Sequence, residues 1–252
     1  MFLLKNNIRR EIKFKVFIKD IGKFYSWLYN SPFKKKYNNR GVNSLYYDTI
    51  NLDFANDNIS GQSNRLKIRA RWYTANNESF LNGFSSSKFF RLEIKRKKNN
   101  YSDKIFFSKK SSNKKSSIIE QRIFLKKELK NELSKISELS HLILNDIIFV
   151  GYNREYFEHT FAKNIRLTID NDLSCLNCSK ILNPNNTKIS NNFIIVELKF
   201  KQENENIVKN ILKSFPFRQV RSSKYLYAIS KYYRFSYWYI SNFYKLFKNN
   251  WV

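Results

Sequence analysis

Charged or polar residues recur at every second position in five stretches of this chain, and this alternation constrains its fold more than any other feature. The stretches cover residues 11–15, 65–71, 91–97, 166–170 and 196–200. Successive side chains of a β-strand point to opposite faces of a sheet, so each stretch places its charges largely on one face and Ile, Leu or Phe on the other. If such strands close into a barrel with helices outside, the charged faces line its interior. An interior of Arg and Lys suits a multiply charged anion.

Length and net charge limit the class of protein. The 252 residues can form one domain with a sizeable core, and we expect a domain over 1–231 and an aromatic, basic tail over 232–252. The formal charge of +27, from 47 basic and 20 acidic residues, predicts an anionic partner. Neither a membrane-spanning apolar run nor a signal peptide is recognisable, so we expect a cytoplasmic protein.

Alternation and composition predict the order of the elements. Strands are expected near 8–19, 42–49, 64–73, 89–97, 103–108, 146–157, 163–170 and 193–200. Helical patterns cover 20–29, 118–139, 203–214 and 222–233. Loops are expected at the Ser-, Asn- and Lys-rich stretches 74–87, 109–117 and 183–192. Many strands with few helices indicate an α+β fold whose sheet is closed or strongly curved.

The stretch 65–71 places four cations on one face of a single strand. They are Arg65, Lys67, Arg69 and Arg71. At a spacing of about 7 Å they repel one another unless water or an anion screens them. Guanidinium groups match phosphate oxygens two at a time, so this spacing suits a chain of phosphates. For this strand taken alone, a solvated outer face of a sheet is the alternative.

Carboxylates among the cations narrow the choice of partner. Glu11, Glu93 and Glu197 each stand two residues before a lysine. A surface that only follows a nucleic-acid backbone gains nothing from carboxylates, because each weakens the attraction for phosphate. A carboxylate beside phosphate-binding lysines can instead hold Mg²⁺ or Mn²⁺. A ladder of Glu–Lys ion pairs is the alternative, and the sequence contains no Walker-type loop, nucleophile elbow or helical zinc motif.

Three further segments stand apart from the charged alternation. Cys175 and Cys178 form a single Cys-x-x-Cys in a polar stretch. We expect two ordinary loop thiols rather than a zinc or redox site, because structural zinc normally takes four ligands. Residues 57–61 are expected to form a tight turn. The tail 232–252 predicts either a helix that packs on the domain or a partner, or an amphipathic helix on an anionic membrane.

Taken in chain order, these motifs resemble the polyphosphate polymerase domain of the vacuolar transporter chaperone (VTC) family, one of the CYTH-like triphosphate tunnel enzymes. The resemblance extends from residue 8 to about residue 230. It is carried by the segments 9–13, 44–49, 65–71, 90–95, 152–156, 166–170, 196–200 and 222–225.

The resemblance implies an eight-stranded antiparallel tunnel, with helices outside, that binds ATP and lengthens inorganic polyphosphate by phosphoryl transfer with Mn²⁺ or Mg²⁺. The residues implied to hold phosphates and act in catalysis are Lys13, Arg65, Lys67, Arg69, Lys95, Arg154, Arg166, Lys199 and Lys224. The predicted substrate site is completed by Arg71, Glu11, Glu93, Tyr156 and Ser223. Glu197 is implied to be the metal ligand.

The motifs leave three functions open. The first is synthesis of polyphosphate from ATP, with no specific nucleic-acid partner and with the tail as a potential peripheral membrane or partner contact. The second is hydrolysis of triphosphate or polyphosphate on the same fold, since related tunnel enzymes hydrolyse triphosphates or cyclise ATP. The third is a non-enzymatic binder of nucleic acid or acidic surfaces, whose binding would weaken steeply with salt and need no metal.

Overall fold

The computed structural model describes residues 9–75, 80–98, 101–111, 117–180 and 189–233. Its strands are β1 (Arg9–Phe17), β2 (Phe33–Asp48), β3 (Asn64–Thr74), β4 (Phe89–Lys98), β5 (Tyr101–Lys110), β6 (Asn145–His159), β7 (Arg166–Asn177), β8 (Ile189–Ser190) and β9 (Phe193–Lys201). Its helices are α1 (Ile21–Tyr29), α2 (Asp53–Ser60), α3 (Phe80–Ser86), α4 (Ile118–Ser134), α5 (Glu205–Ser214) and α6 (Lys224–Tyr232).

Eight strands follow one another in the hydrogen-bonded order β1-β9-β7-β6-β2-β3-β4-β5, and the short β8 pairs with β7. Every pair with a defined register is antiparallel. The predicted α+β class with eight antiparallel strands is therefore confirmed. The sheet is not closed, since no pairing joins β1 to β5 in the described part of the chain. Alternation determines which face a side chain takes, but it does not determine what pairs with the edge of a strand.

The chain divides into two compact units. Among the described residues, the first consists of 9–40, 153–173 and 191–222, and the second of 41–75, 80–98, 101–111, 117–152, 174–180, 189–190 and 223–233. Strands β2, β6 and β7 contribute residues to both units. Each unit has its own hydrophobic core, and the two are described separately below.

In the first unit, the apolar face of the sheet packs against α1 and α5. Phe14 of β1 lies opposite Val196 of β9, and both side chains are buried. Phe24 and Leu28 of α1 and Val208 of α5 belong to the same core. Because side chains alternate along each strand, the charged residues of β1, β7 and β9 lie mainly on the other face; Arg10, which pairs with Glu205 of α5, is an exception.

In the second unit, α3 and α4 cover the apolar face of β3 and β4. Trp72 of β3 is fully buried, with its ring 4.9 Å from that of Phe84 in α3. Ile68 and Leu92 pack in the same core as Leu125 of α4. The cations of β3 therefore lie on the face away from α4, as the alternation predicts.

Helices were expected to pack only on the apolar side of the sheet, but α6 does not follow this arrangement. Its Tyr225 stacks on Tyr46 of β2, with ring centroids 4.9 Å apart. Tyr46 lies opposite Arg69 in the register of β2 and β3, so its side chain belongs to the charged face. The first turn of α6 therefore contacts the face that carries the cations.

Several segments expected to be turns or loops have regular structure. Residues 57–61, expected to form a tight turn, lie largely within α2, which ends at Gly61 in the left-handed conformation with φ 76°. The stretch 74–87 contains α3. Cys175 lies in β7 and Cys178 in the short turn after it, and both thiols are buried rather than on a surface loop. Burial raises the pKa of Cys175 to about 11, so the thiol stays protonated near neutral pH.

Within the described residues, no helix is both long and apolar enough to cross a membrane. The predicted tail begins at Tyr232, the last residue of α6. Residues 234–252 lie outside the described part of the chain, so the predicted packing or membrane contact of the tail stays a prediction.

Candidate phosphate-binding faces

The charged face of the second unit sets cations directly opposite cations. Strands β3 and β4 pair so that most charged residues of β3 face a residue of the same sign. The like-charge pairs are Arg65 with Lys97, Lys67 with Lys95 and Arg71 with Arg91. Like charges directly opposite one another destabilise a sheet. The structure thus brings the four predicted cations of β3 and Lys95 onto one face whose repulsion an anion would relieve.

Glu93 stands at the centre of this face and organises three of the cations. Arg69 Nε lies 2.7 Å from Glu93 Oε2, and Lys104 Nζ donates to Oε1 at 2.8 Å. Arg71 Nη1 is 3.9 Å from Oε2. Burial opposes ionisation of Glu93, but Arg69, Arg71 and Lys104 outweigh it and lower its pKa to about 2. Glu93 is therefore ionised near neutral pH and holds these side chains in place.

Tyrosine side chains complete the support of the two arginines. Arg69 Nη1 donates to the hydroxyl oxygen of Tyr46 at 3.1 Å, and Arg71 Nη2 donates to that of Tyr152 at 3.4 Å. Burial raises the pKa of Tyr46, but the positive charges of Arg69 and Arg71 outweigh it, and the net change is downward. Neither tyrosine was predicted from the sequence to belong to a site. Tyr46 stands at every-second-residue spacing with the polar residues Ser44 and Asp48 in the motif 44–49. This spacing could have predicted that Tyr46 lies on the polar face of its strand.

The N-terminus of α6 brings two predicted residues to this face. Ser223 caps α6, and its hydroxyl oxygen accepts a hydrogen bond from Lys67 Nζ at 3.2 Å. Lys224 Nζ lies 4.8 Å from the centroid of the Tyr152 ring. Ser223 and Lys224 are far from β3 in sequence, so only the packing of α6 places them beside the cations of β3.

The first unit carries a second charged face, on β1, β9 and β7. Four predicted residues there form a closed ring of ion pairs: Glu11, Lys13, Glu197 and Lys199. Each lysine contacts both carboxylates, with N–O distances from 2.8 to 3.7 Å. Partial desolvation raises the pKa of Glu11, but the two lysines outweigh it and lower the pKa below the usual value. Here the Glu–Lys ladder considered from sequence is present.

Arg154 connects this ring to a buried carboxylate. Arg154 Nη2 donates to Asp170 Oδ2 at 2.6 Å and to Glu197 Oε2 at 3.3 Å, and its Nε donates to the other oxygen of Asp170. Asp170 and Glu197 are both buried. Asp170 therefore aims Arg154 at the ring. Asp170 is the acidic residue of the motif 166–170, but it was not predicted from the sequence to belong to a site.

Two predicted residues of the first unit contact side chains that were not predicted to belong to a site. Arg166 lies opposite Lys199 in the sheet, but its side chain is 58% exposed and its Nε is 4.0 Å from Glu158 Oε1. The hydroxyl oxygen of Tyr156 accepts a hydrogen bond from Arg40 Nε at 2.8 Å. These contacts do not test the predicted roles of Arg166 and Tyr156 in phosphate binding.

Glu197 and the carboxylate beside it could hold a divalent metal ion that completes its coordination with water and phosphate. Within the described residues, no group of three or more His, Cys, Asp or Glu side chains could hold an ion by itself. Mg²⁺ usually takes one or two protein carboxylates and completes its coordination with water and phosphate oxygens. Glu197 and Glu11, which share two lysines, supply such carboxylates. The residues therefore fit an ion that binds together with a phosphate ligand.

Comparison with known families gives a clear assignment. The profile of the VTC domain matches residues 1–233. This chain belongs to the VTC domain family. No curated protein matches the sequence.

Several solved structures resemble this VTC domain at low identity. An adenylate cyclase candidate from Vibrio parahaemolyticus is 10% identical, with 87% of this chain and 97% of that chain covered and a TM-score of 0.44. The PH1819 protein from Pyrococcus horikoshii is 12% identical, with 87% and 96% covered and a TM-score of 0.42. An adenylyl cyclase candidate from Hippeastrum, described as having a dominant triphosphatase activity, is 12% identical, with 90% and 98% covered and a TM-score of 0.46.

Proposed function

We propose that this VTC domain is a metal-dependent phosphotransferase that moves the terminal phosphate of ATP onto a growing chain of inorganic polyphosphate. The observation that carries the proposal is the series of like-charge pairs between β3 and β4. Each such pair destabilises the empty sheet, by roughly 0.2–1 kcal/mol if it matches the size of other cross-strand pair effects. A linear polyanion relieves the repulsion along the whole strand, whereas an isolated carboxylate or single phosphate would relieve it at one position.

Phosphoryl transfer places modest demands on the protein. The transferred group spreads negative charge over its oxygens, so catalysis consists mainly of positioning and of neutralising charge. The supported cations meet this demand: Glu93 and Tyr46 hold Arg69, Ser223 contacts Lys67, and Asp170 holds Arg154. The terminal phosphate of the acceptor is already anionic, so the reaction needs neither a covalent nucleophile on the protein nor a general base.

The proposed roles follow the predicted set. The residues proposed to bind the phosphates of ATP and polyphosphate are Lys13, Arg65, Lys67, Arg69, Arg71, Lys95, Arg154, Arg166, Lys199 and Lys224. Glu197, with Glu11 beside it, would hold Mn²⁺ or Mg²⁺. When bound, such a divalent ion would neutralise negative charge on the phosphate groups. Tyr156 and Ser223 would donate hydrogen bonds to phosphate oxygens. Glu93 would hold the side chains of Arg69 and Arg71 in position.

The decisive experiment is incubation of the purified protein with ATP and Mn²⁺. We expect ADP and an acid-labile polymer that a polyphosphate stain detects on a gel. Release of orthophosphate without polymer, at every protein and metal concentration, would favour a triphosphate hydrolase over a polymerase. Salt-sensitive binding of oligonucleotide without turnover of ATP would favour a nucleic-acid binder.

A further inference from the structure

Two exposed aromatic rings lie on the charged face of the second unit. Phe106 of β5 is 54% exposed and Phe89 of β4 is 67% exposed. Phe106 lies opposite Glu93 and Phe89 lies opposite Lys110 in the register of β4 and β5. Because partners in an antiparallel pair point to the same side, both rings share the face that carries Glu93 and Arg69.

Each ring has a cation close to it. The guanidinium carbon of Arg91 lies 4.8 Å from the centroid of the Phe106 ring, and Lys110 Nζ lies 6.0 Å from that of Phe89. Single exposed aromatic residues are ordinary on protein surfaces. Phe89 lies four residues along β4 from the residue that faces Phe106, roughly 13 Å away, so only the Phe106 ring with the Arg91 guanidinium beside it forms the arrangement that proteins use to stack nucleobases.

A phosphate chain by itself would gain no binding energy from these rings. The face of an aromatic ring is electron-rich and repels an anion. A ligand that fits both the rings and the neighbouring cations must therefore carry phosphates at one end and a flat, neutral ring system at the other. A nucleoside triphosphate has this composition, whereas polyphosphate does not.

The spacing of the strands agrees with such a ligand. Arg69 of β3 lies opposite Glu93 of β4, which lies opposite Phe106 of β5. Two strand separations amount to about 10 Å, a distance on the scale of the separation between a nucleobase and the phosphates of its nucleotide. Like-charged Arg71 and Arg91, opposite each other on β3 and β4, lie one step further along the same face.

We infer that Phe106 and Arg91 form a base-binding platform for the nucleoside triphosphate donor, whose phosphates lie along the cations of β3. The inference deepens the proposed function, on which it rests, because it concerns the donor's base rather than phosphoryl transfer itself. It predicts that ATP binds more tightly than tripolyphosphate does at equal charge, and that purine nucleotides bind more tightly than pyrimidine nucleotides.

The test measures binding of ATP and of tripolyphosphate by titration calorimetry, in wild type and in Phe106→Ala. Stacking of one base contributes an affinity factor of about 5- to 150-fold. We therefore expect Phe106→Ala to weaken ATP binding by at least about 5-fold, while tripolyphosphate binding changes less than about 2-fold. Phe106→Tyr, which keeps a ring, should retain ATP affinity.

Ile123→Ala is the matched control. Ile123 is 64% exposed on α4, a helix that packs against the apolar face of the same sheet. The variant removes exposed apolar surface away from the charged face and should leave the affinity for both ligands unchanged. Thermal melting of all variants should be unchanged, because each altered side chain is largely exposed.

Three results would overturn the inference. They are equal affinity of wild type for ATP and tripolyphosphate, equal loss of both ligands in Phe106→Ala, and a Phe106-dependent affinity for single-stranded oligonucleotide that exceeds the affinity for ATP. Base-dependent binding of ATP that Phe106→Ala abolishes would support the inference even if no polymer forms. Failure of the proposed polymerase reaction and failure of this inference are thus distinguishable.

Discussion

At the scale of single residues, the candidate faces depend on carboxylates that hold cations in place. Asp170 and Glu93 are anionic and cannot themselves attract a substrate anion, yet each holds the guanidinium group of a residue predicted to bind phosphate. A guanidinium group held by a carboxylate is preorganised, so less reorganisation is needed when phosphate binds. The two acids are therefore proposed as positioning residues, not as catalytic ones.

Replacing Asp170 should lower the rate of polymer synthesis without changing the products of the reaction. Asp170→Asn keeps the shape but removes the charge that aims Arg154, and we expect kcat/KM for polymer synthesis to fall roughly 10- to 100-fold. Asp172→Asn is the control, because Asp172 lies two residues further along β7 and accepts a hydrogen bond from Asn153. Both variants should be compared by steady-state kinetics and thermal melting. Equal effects of the two substitutions would contradict the positioning role.

The pKa of Glu93 predicts a dependence of stability on pH. Its pKa falls from 4.5 to about 2 on folding, so ionised Glu93 favours the folded state above pH 4.5. This contribution, on the order of 3 kcal/mol, is lost progressively as pH falls from 4.5 toward 2. Denaturant unfolding of wild type and Glu93→Gln at pH 6 and pH 3.5 should show the larger loss in wild type. Parallel losses would mean that other carboxylates dominate.

At the scale of elements, one buried carboxylate joins β2, α2 and α6. Asp48, at the end of β2, accepts backbone hydrogen bonds from Phe54 and Ala55 at 3.0 Å each and one from the hydroxyl of Tyr225 in α6. The backbone N–H groups in the first turn of a helix have no acceptor within the helix. In α2, the carboxylate oxygens of Asp48 are the acceptors for two of these groups. Since α6 also carries Ser223 and Lys224, Asp48 helps to position part of the candidate site.

Removing this carboxylate should destabilise the protein more than an ordinary change in α2. Asp48→Ala leaves several buried donors without an acceptor, and we expect the free energy of unfolding to fall by about 2–4 kcal/mol. Asp57→Ala, within α2 itself, should cost well under half as much. The measurement is the denaturant midpoint of each variant at neutral pH. Similar midpoints for the two variants would show that Asp48 does not anchor α2.

At the scale of the whole molecule, the net charge of +27 makes the protein sensitive to polyanions. A ligand at about 100 times its Kd stabilises a fold by about 2.7 kcal/mol, which in a protein of this size corresponds to a rise in Tm of roughly 5–11 °C. We expect tripolyphosphate to produce this rise, and sodium chloride at the same ionic strength to produce much less because it only screens.

A double variant separates this effect from general screening. Arg65→Ala with Lys97→Ala removes one like-charge pair of the β3–β4 face, so the unliganded protein should melt at the same or a higher temperature. The rise caused by tripolyphosphate should shrink. Arg69 is unsuitable for this purpose, because its loss would leave the buried carboxylate of Glu93 without its main partner. An undiminished rise in the double variant would argue against phosphate binding on this face.

The sequence by itself determined the two charged faces, the apolar faces behind them and the resemblance to the VTC family. It could do so because the alternation of side chains along a strand is a local property that neighbouring residues specify. For the same reason it identified Glu11, Lys13, Glu197 and Lys199 as members of one pattern, and the structure joins them in a ring of ion pairs.

Only the tertiary structure decided which charges meet. The contacts of Asp170 with Arg154, Lys104 with Glu93 and Ser223 with Lys67 depend on strand register and on the docking of α6. Helix α2 was missed because Asp48, the acceptor for backbone N–H groups of its first turn, lies outside the helical segment. The burial of Cys175 followed from the extension of β7 past the motif 166–170. Register and docking are set by the packing of cores assembled from distant parts of the chain, so no local pattern could specify them.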